Sequence, residues 1–484
     1  MDVQLIPSKG RRGFRRFGSL RFSWLLIFGL LLCWLLLPSG MARAAEGDAT
    51  PKRPNLLLIV IDTLRSDRLS SYGYTRPTSP EMDRLAAEGV LYEQAISASS
   101  WTLPSHASLF TGLYPRDHRT TSENTVLDDS FETLAEQLQA AGYRTAGFSN
   151  NVWTNDESGL KQGFEAFEEM WHLQATRQSG VMADDPKTDM GGVATTEKIL
   201  EWVGKPSGKP FFVFVNYYEP HLPYRPTRPF GKEFLPKGTR PHEIQRLRSF
   251  YSPREYGYIL DVPWMKVSDR DIEILGDLYD GEISYIDHIL GDLRKGLEEA
   301  GQWQDTLVVV TSDHGEHLGE NHMLSHKLSV YDPLLRVPLI LYGPGRLPTA
   351  RRIQGQVQVH DVFGSLLDWA GVRDDLPQLP LEEPKTPRYT FAELDTPNIF
   401  LEVIRKKIPG WDASAFARAL KTVRGPRYKL ILGSDARAEL FDHVNDPLET
   451  QDLSAEKPEV VQRLRRALEA FEKGEMPGVE EAKP

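Results

Sequence analysis

The side chains with the most chemistry to offer are Asp62, Thr102, His221 and the pair Asp313–His314. Carboxylates, an imidazole and a hydroxyl are the parts of a divalent-cation site with a nucleophile beside it. Oxygen ligands mixed with one imidazole favour manganese or zinc, with calcium or magnesium as the alternatives. A cation held against a Thr hydroxyl favours its deprotonated form and turns a weak nucleophile into a useful one. Each residue alone has an ordinary use. Asp at a strand end is commonly a turn or cap residue, Thr at a helix start is a common cap, and His221 sits in a Pro-flanked loop. The argument rests on the set.

The elements that must bring the set together are legible. The segment W-T-L-P-S-H-A-S-L-F-T-G, Trp101 to Gly112, reads as a strand exit followed by a short helix. Thr102 is expected just before the first turn, facing the unpaired N–H groups and positive end of the dipole. P-N-L-L-L-I-V-I-D is an unbroken apolar run ending in Asp62, the pattern of a strand buried on both faces. Phe211–Val215 is a second such run and leads to Glu219 and His221. D-T-L-V-V-V-T-S-D-H is a third and ends in Asp313–His314. Strand ends in one parallel sheet share an edge, where α/β folds place ligands. Helical patterns at 80–88, 131–141, 195–203, 269–300 and 359–371 alternate with these strands. The expected fold class is therefore α/β: a mostly parallel sheet flanked by helices over residues 54–373. A Pro-rich linker, 374–388, leads to a smaller C-terminal α+β subdomain, 389–484, closed by a helix at 458–471. Residues 222–265 are rich in Pro, Arg and Tyr and read as a long insertion of the kind used for binding lids.

Charge is uneven. The chain of 484 residues carries −11 overall, yet residues 1–44 hold seven Lys or Arg and one Asp. The acidic remainder argues against nucleic acid as a partner. The basic start, the apolar run Phe22–Leu37 and the small residues at 42–45 describe a secretory signal over residues 1–45, followed by a linker at 46–53. The expected location is periplasmic or secreted, with a membrane tether through residues 22–37 as the alternative. The single cysteine, Cys33, lies in that apolar run, so a cleaved chain has no thiol for disulfides, metal binding or catalysis.

Several ordered motifs resemble the sulfatase family of the alkaline phosphatase superfamily: P-N-L-L-L-I-V-I-D-T-L-R-S-D, L-P-S-H-A-S-L-F-T-G-L-Y-P, N-Y-Y-E-P-H-L-P-Y, Y-D-G-E-I-S-Y-I-D, T-S-D-H-G-E-H-L-G-E and H-K-L-S-V-Y-D-P-L-L-R-V-P-L-I. The resemblance implies an alkaline-phosphatase-like sheet and a metal site made of Asp62, Asp313, His314 and Thr102. It makes Thr102 the nucleophile, with His221 and Lys327 on the transferred anionic group and His326 as general acid or leaving-group contact. His106 stands where the family usually has Arg. Asn150 lies in T-A-G-F-S-N-N, which replaces the family's Gly-Lys-Trp-His segment; both are substrate-binding candidates. The usual second acid is Thr63, and the usual late Asn is His314. Most importantly, Thr102 replaces the Cys or Ser that becomes formylglycine, so no formylglycine is expected. Thr with an Asp-His metal end resembles the phosphodiesterase, phosphonate monoester hydrolase and phosphoglycerol or phosphoethanolamine transferase members. One ion is expected; Asp287, His317, His322 and His326 are the remaining residues for a second. These features imply a hydrolase cleaving a sulfate ester or a phosphodiester or phosphonate ester through a covalent Thr102 intermediate. The substrate would be an anionic ester of a small molecule, glycan or lipid. A transferase acting on envelope lipid or glycan, and a catalytically silent metal-binding protein, are the alternatives.

Overall fold

The computed structural model describes residues 53–171, 190–248, 259 and 266–479. Its centre is an eight-stranded sheet. From edge to edge the strands are Arg351–Ile353, Val90–Tyr92, Leu339–Tyr342, Thr306–Thr311, Asn55–Ile61, Phe211–Tyr217, Arg144–Ser149 and Ala166–Glu169. Leu339–Tyr342 runs antiparallel to both its neighbours, and the remaining pairings are parallel. The mostly parallel α/β sheet expected from the unbroken apolar runs is thus present.

Burial on both faces explains those runs. Leu56, Leu58 and Val60 point into one core with Phe212, Phe214 and Val309. Leu57, Ile59 and Ile61 point into the other with Val213, Val215 and Val308. Each such side chain contributes about 1.5–3 kcal/mol when taken from water.

The register of the central strands places the chemistry. Val60 lies opposite Thr311. Two residues further along each strand come Asp62 and Asp313, which therefore leave the sheet side by side. On the other flank Ile61 lies opposite Tyr217, and Asn216 opposite Ser149. The same edge thus also receives the chain toward His221 and toward Asn150–Asn151.

The helix Asp269–Glu299 backs this edge. Ser268 and Asp271 cap it reciprocally. Its Tyr279 hydroxyl donates to Thr63 O (2.7 Å) and accepts from Arg65 N (2.9 Å), fixing the turn that follows Asp62. Asp280 on the same helix pairs with Arg68 and Arg76. Asp287 accepts from Glu81 N and Met82 N, both at 2.8 Å, and so caps the helix Pro80–Glu88 rather than holding an ion. Much of the Y-D-G-E-I-S-Y-I-D motif is scaffolding.

The C-terminal residues form a four-stranded antiparallel meander, Thr390–Leu394, Leu420–Arg424, Tyr428–Gly433 and Ala438–Asp442. The helix Pro458–Glu472 covers it through Val460, Leu464, Leu468 and Phe471. A buried ion cluster ties the meander to the main body: Lys429 Nζ donates to Asp332 (2.8 Å) and Glu449 (2.9 Å), and Arg424 to Asp332 (3.0 Å). Residues 374–388 lie against the main body, where Leu379 N–H donates to Ser365 Oγ and Tyr92 OH to Pro380 O. In the 222–265 insertion, the helix Pro241–Arg248 is pinned to the long helix by an Arg246–Asp271 ion pair. No helix among the described residues is long and apolar enough to cross a membrane. The signal or tether, residues 1–45, lies outside the described residues.

Candidate active site

The helix Thr102–Thr111 is buried along its whole length. Its cap is Trp101, whose extended backbone (φ −153°, ψ 162°) turns the chain into the helix, so Thr102 is the first helical residue rather than the cap expected from sequence. No side chain caps the first turn. The Thr102 hydroxyl instead lies 3.4 Å from His314 Nε2 and accepts from Asn151 Nδ2 at 3.3 Å. Ser105 Oγ donates to the Asp313 carbonyl (2.6 Å), as does Ser97 Oγ, which stitches the helix start to the strand end. Gly112 ends the helix at φ +71°; a Cβ there would lie 2.7 Å from the Phe363 ring.

Asp62, Asp313 and His314 offer ligand atoms that all lie within 4.8 Å of one another, and all three residues are buried. Asp62 Oδ1 and Asp313 Oδ2 accept no hydrogen bond among the described residues. The second oxygen of each acid is held: Asp62 Oδ2 by Asn151 Nδ2 (2.5 Å), Asp313 Oδ1 by His314 N (2.9 Å) and Thr63 N (3.3 Å). His314 Nδ1–H donates to Gly315 O (2.9 Å), which leaves the Nε2 lone pair for a cation. Burial, reinforced by Asp313, pushes the Asp62 carboxyl well above the usual range. Two like charges buried together are costly until a counter-charge joins them. Orphaned carboxylate oxygens beside an oriented imidazole fit a divalent cation.

Thr102 opens onto a cavity of about 290 Å³. His221, His326, Lys327, Asn150 and Asn151 also line it. His221 stacks on Tyr218, with centroids 4.5 Å apart, and meets His326 edge-on at 5.0 Å. His326 Nδ1–H donates to Glu316 Oε1 (2.9 Å), and its ring lies 4.3 Å from that of His314. Burial pushes His221 down to about 3, with Lys327 adding to the effect. Burial, with His314 and the Lys327 charge beside it, holds His326 well below its usual value too. The imidazoles facing the cavity are thus neutral at pH 7.

Asp62, Thr102, Asp313, His314, His221, His326 and Lys327 are brought to one place. Two other candidates stand differently. His106 lies behind the helix start, its Nδ1–H donating to Thr102 O (2.9 Å) and 3.6 Å from Asp313 Oδ2. It packs edge-on against Phe214 and is not among the cavity's lining residues. Asn150 reaches the cavity wall, but its amide donates to Thr195 Oγ1 and Asn216 O. The amide that touches both Asp62 and Thr102 is that of Asn151. Glu316 and Arg65 were also missed. Arg65 is buried and grips the loop after His314 through Glu316 O (2.9 Å) and Glu320 (2.8 Å). The D-H-G-E run was the available signal for Glu316; Arg65 gave none beyond its place two residues after Thr63. Of the residues considered for a second ion, His317 Nε2 bonds Ser329 Oγ (2.8 Å).

A hydroxyl and an acid–acid–imidazole cluster thus stand together at one edge of a mostly parallel sheet flanked by helices. The phosphonate monoester hydrolase of Agrobacterium radiobacter shares the fold, with a TM-score of 0.70 over 87% of this chain and 96% of that one at 23% identity. The family model described as Sulfatase matches residues 54–372, and the chain belongs to the sulfatase family. The multifunctional alkaline phosphatase superfamily protein PehA of Trinickia caryophylli is 28% identical over 388 residues, 66% of this chain and 74% of that protein. Iduronate 2-sulfatase of Mus musculus is 29% identical over 397 residues, 71% of this chain and 69% of that protein.

Proposed function

We propose that the protein hydrolyses phosphodiesters or phosphonate monoesters, with sulfate esters as weaker substrates, through a covalent ester on Thr102. The observation that carries this reading is the Thr102 hydroxyl, which is not spent on capping its helix and faces His314 and Asn151 instead. A threonine attacks phosphorus as it stands and needs no conversion to an aldehyde. A phosphonate monoester hydrolase among the structures that share the fold supports phosphorus esters as substrates.

Asp62, Asp313 and His314, with the Thr102 oxygen, would hold one divalent cation, manganese or zinc by the donor set. When bound, that ion supplies Lewis-acid charge stabilisation and lowers the pKa of the adjacent hydroxyl. The remaining work falls to side chains. Asn151 Nδ2 fixes the hydroxyl against Asp62. Lys327 and His221 face the non-bridging oxygens, and the Lys327 charge is matched to the transition state. His326, with Nδ1–H committed to Glu316, is the leaving-group contact; the proton that Thr102 gives up and the one the departing oxygen takes are exchanged with solvent in the cavity. The phosphorus–Thr102 oxygen bond forms as the bond to the leaving oxygen breaks. Water then attacks phosphorus, Thr102 departs and recovers a proton, and the acid product is released. In this reading the chain is exported, and its physiological ester belongs to a small molecule, glycan or lipid outside the cytoplasm.

The test is a panel of aryl phosphodiester, aryl phosphonate and aryl sulfate esters, run with metal-stripped and metal-restored protein. Turnover of the phosphorus esters that depends on added metal is expected. A clear preference for sulfate with an unmodified Thr102 would overturn the phosphorus assignment.

A further inference from the structure

Three aromatic rings from three separate segments meet over the cavity. Trp101 precedes the nucleophile and is buried. Trp153 follows Asn151, and its N–H donates to Asn151 Oδ1 at 2.8 Å. The side chain that holds Thr102 therefore also fixes the backbone of this tryptophan. Phe400 comes from the C-terminal meander. Trp153 and Phe400 each stand edge-to-face on Trp101, with centroids 5.5 Å apart and planes at 87° in both cases. All three line the cavity.

The route by which Phe400 arrives shows a built element. Leu394 pairs with Leu420 in the meander, so residues 395–419 are an excursion between two adjacent strands. It carries the helix Asn398–Lys407. Leu401 and Ile404 on that helix, and Ile408 just after it, pack against Leu328, beside Lys327, in a small hydrophobic cluster separate from the two main cores. Ser122 anchors the start of the excursion through Asp395 and Thr396 O. The Lys327 ammonium lies 5.8 Å from the centre of the Phe400 ring. One surface thus joins an anion-binding cation directly to an aromatic wall.

We propose that Trp101, Trp153 and Phe400 form a ring-binding subsite for the organic part of the ester, selecting substrates in which a six-membered ring, aryl or pyranose, is attached close to the transferred group. The proposal rests on the ester-hydrolase reading above. An edge-to-face corner offers an incoming ring one face to stack on and one edge to meet, a fit that a flexible alkyl chain of equal carbon number cannot reproduce. The chain also loses more rotational freedom on binding. Aryl rings and the C–H faces of pyranose sugars share this chemistry. The cavity of about 290 Å³ has room for one such ring and a tetrahedral anion.

The experiment is calorimetric binding of non-hydrolysed anions to the full chain loaded with divalent cation. Phenylphosphonate, hexylphosphonate and methylphosphonate are compared in wild type, Trp153→Ala and Phe400→Leu; the leucine keeps Phe400's helix packed. Wild type is expected to bind phenylphosphonate about tenfold tighter than methylphosphonate, and tighter than hexylphosphonate. Both variants should bring phenyl and methyl affinities to within about threefold while methylphosphonate affinity stays constant. Glucose 6-phosphate against ethyl phosphate reads out the sugar ring in the same way. A phenyl preference that is absent in wild type, that survives both substitutions, or that disappears only because all three anions weaken together overturns the subsite. Ring preference in a protein that turns over none of the esters would overturn the catalytic reading and leave the subsite standing. Turnover without ring preference would do the reverse.

Discussion

The strand-end cluster and the aromatic rim meet at Thr102 but are built by opposite means. Asp62 and Asp313 are placed by register: adjacent parallel strands end together, and each acid follows two residues beyond a paired position. Asp313 Oδ1, the Asp313 carbonyl and Thr63 O are held by the turn, the helix start and the long helix, while Asp62 Oδ1 and Asp313 Oδ2 stay unbonded among the described residues. The rim is assembled from side chains that no shared element aligns; its rings pack with the main core, and the helix that delivers Phe400 rests on a satellite cluster. In the proposed function the first arrangement sets which bond is broken, and the second, which can be altered without touching the sheet, sets what is attached to that bond.

This contrast can be broken at the nucleophile first. Thr102→Ala should lower kcat by about 10³-fold or more for every ester, ring-bearing or not. Elemental analysis should still find the cation, because Asp62, Asp313 and His314 remain. Loss of activity for only some esters would show that the two regions are not separable. Next in size is the cation itself. Chelation, or Asp313→Asn, should remove the metal and nearly all turnover, and added manganese or zinc should restore the chelated protein but not the variant. Recovery of the variant at ordinary metal concentrations would show that Asp313 is no ligand.

Asn151→Ala sharpens the comparison because this residue serves both regions. It should cost about 10–100-fold in kcat, by analogy with other side chains that orient metal ligands. It should also weaken discrimination between ring-bearing and alkyl esters, since Trp153 loses its anchor. A loss confined to kcat would mean that Trp153 holds its place unaided.

The smallest effect tests the scaffold alone. His118 is buried and lies below the nucleophile helix, where its Nδ1 accepts from Thr120 N (3.1 Å) and its Nε2–H donates to Ser108 Oγ (3.0 Å). Burial pushes it down to about 4. The unfolded chain protonates this imidazole near pH 6.5 and the folded protein does not until about pH 4. Its contribution is therefore fully present above pH 6.5 and is lost as pH falls toward 4. Thermal melts of wild type and His118→Gln should show a gap at pH 7.5 that narrows at pH 5. A gap independent of pH would contradict the assignment of a neutral, hydrogen-bonded ring.

Most of what register fixes could be read from the sequence. The unbroken apolar runs before Asp62 and Asp313 announced strands buried on both faces. The helix expected at 269–300 is found at Asp269–Glu299 because Ser268 and Asp271 give a clear start signal. What the pattern does not carry is direction and distance. Asn150 and Asn151 follow the same strand end, and the pattern does not say which side chain turns toward the neighbouring acid. His106 was placed by analogy with an Arg in related proteins, but one helical turn after Thr102 its ring folds back onto the Thr102 carbonyl. Phe400 lies far along the chain, in a segment with no motif, and reaches the cavity only because a four-strand meander packs beside the main body.

The central claim is that the ester is cleaved in two displacements, the first by Thr102. It is tested most directly by the stereochemistry at phosphorus. A phosphorothioate diester of one configuration, hydrolysed in heavy-oxygen water, reports the number of in-line steps without requiring the intermediate to accumulate. Two displacements through Thr102 predict overall retention of configuration. Inversion would mean that water attacks phosphorus directly, and Thr102 would not be the nucleophile.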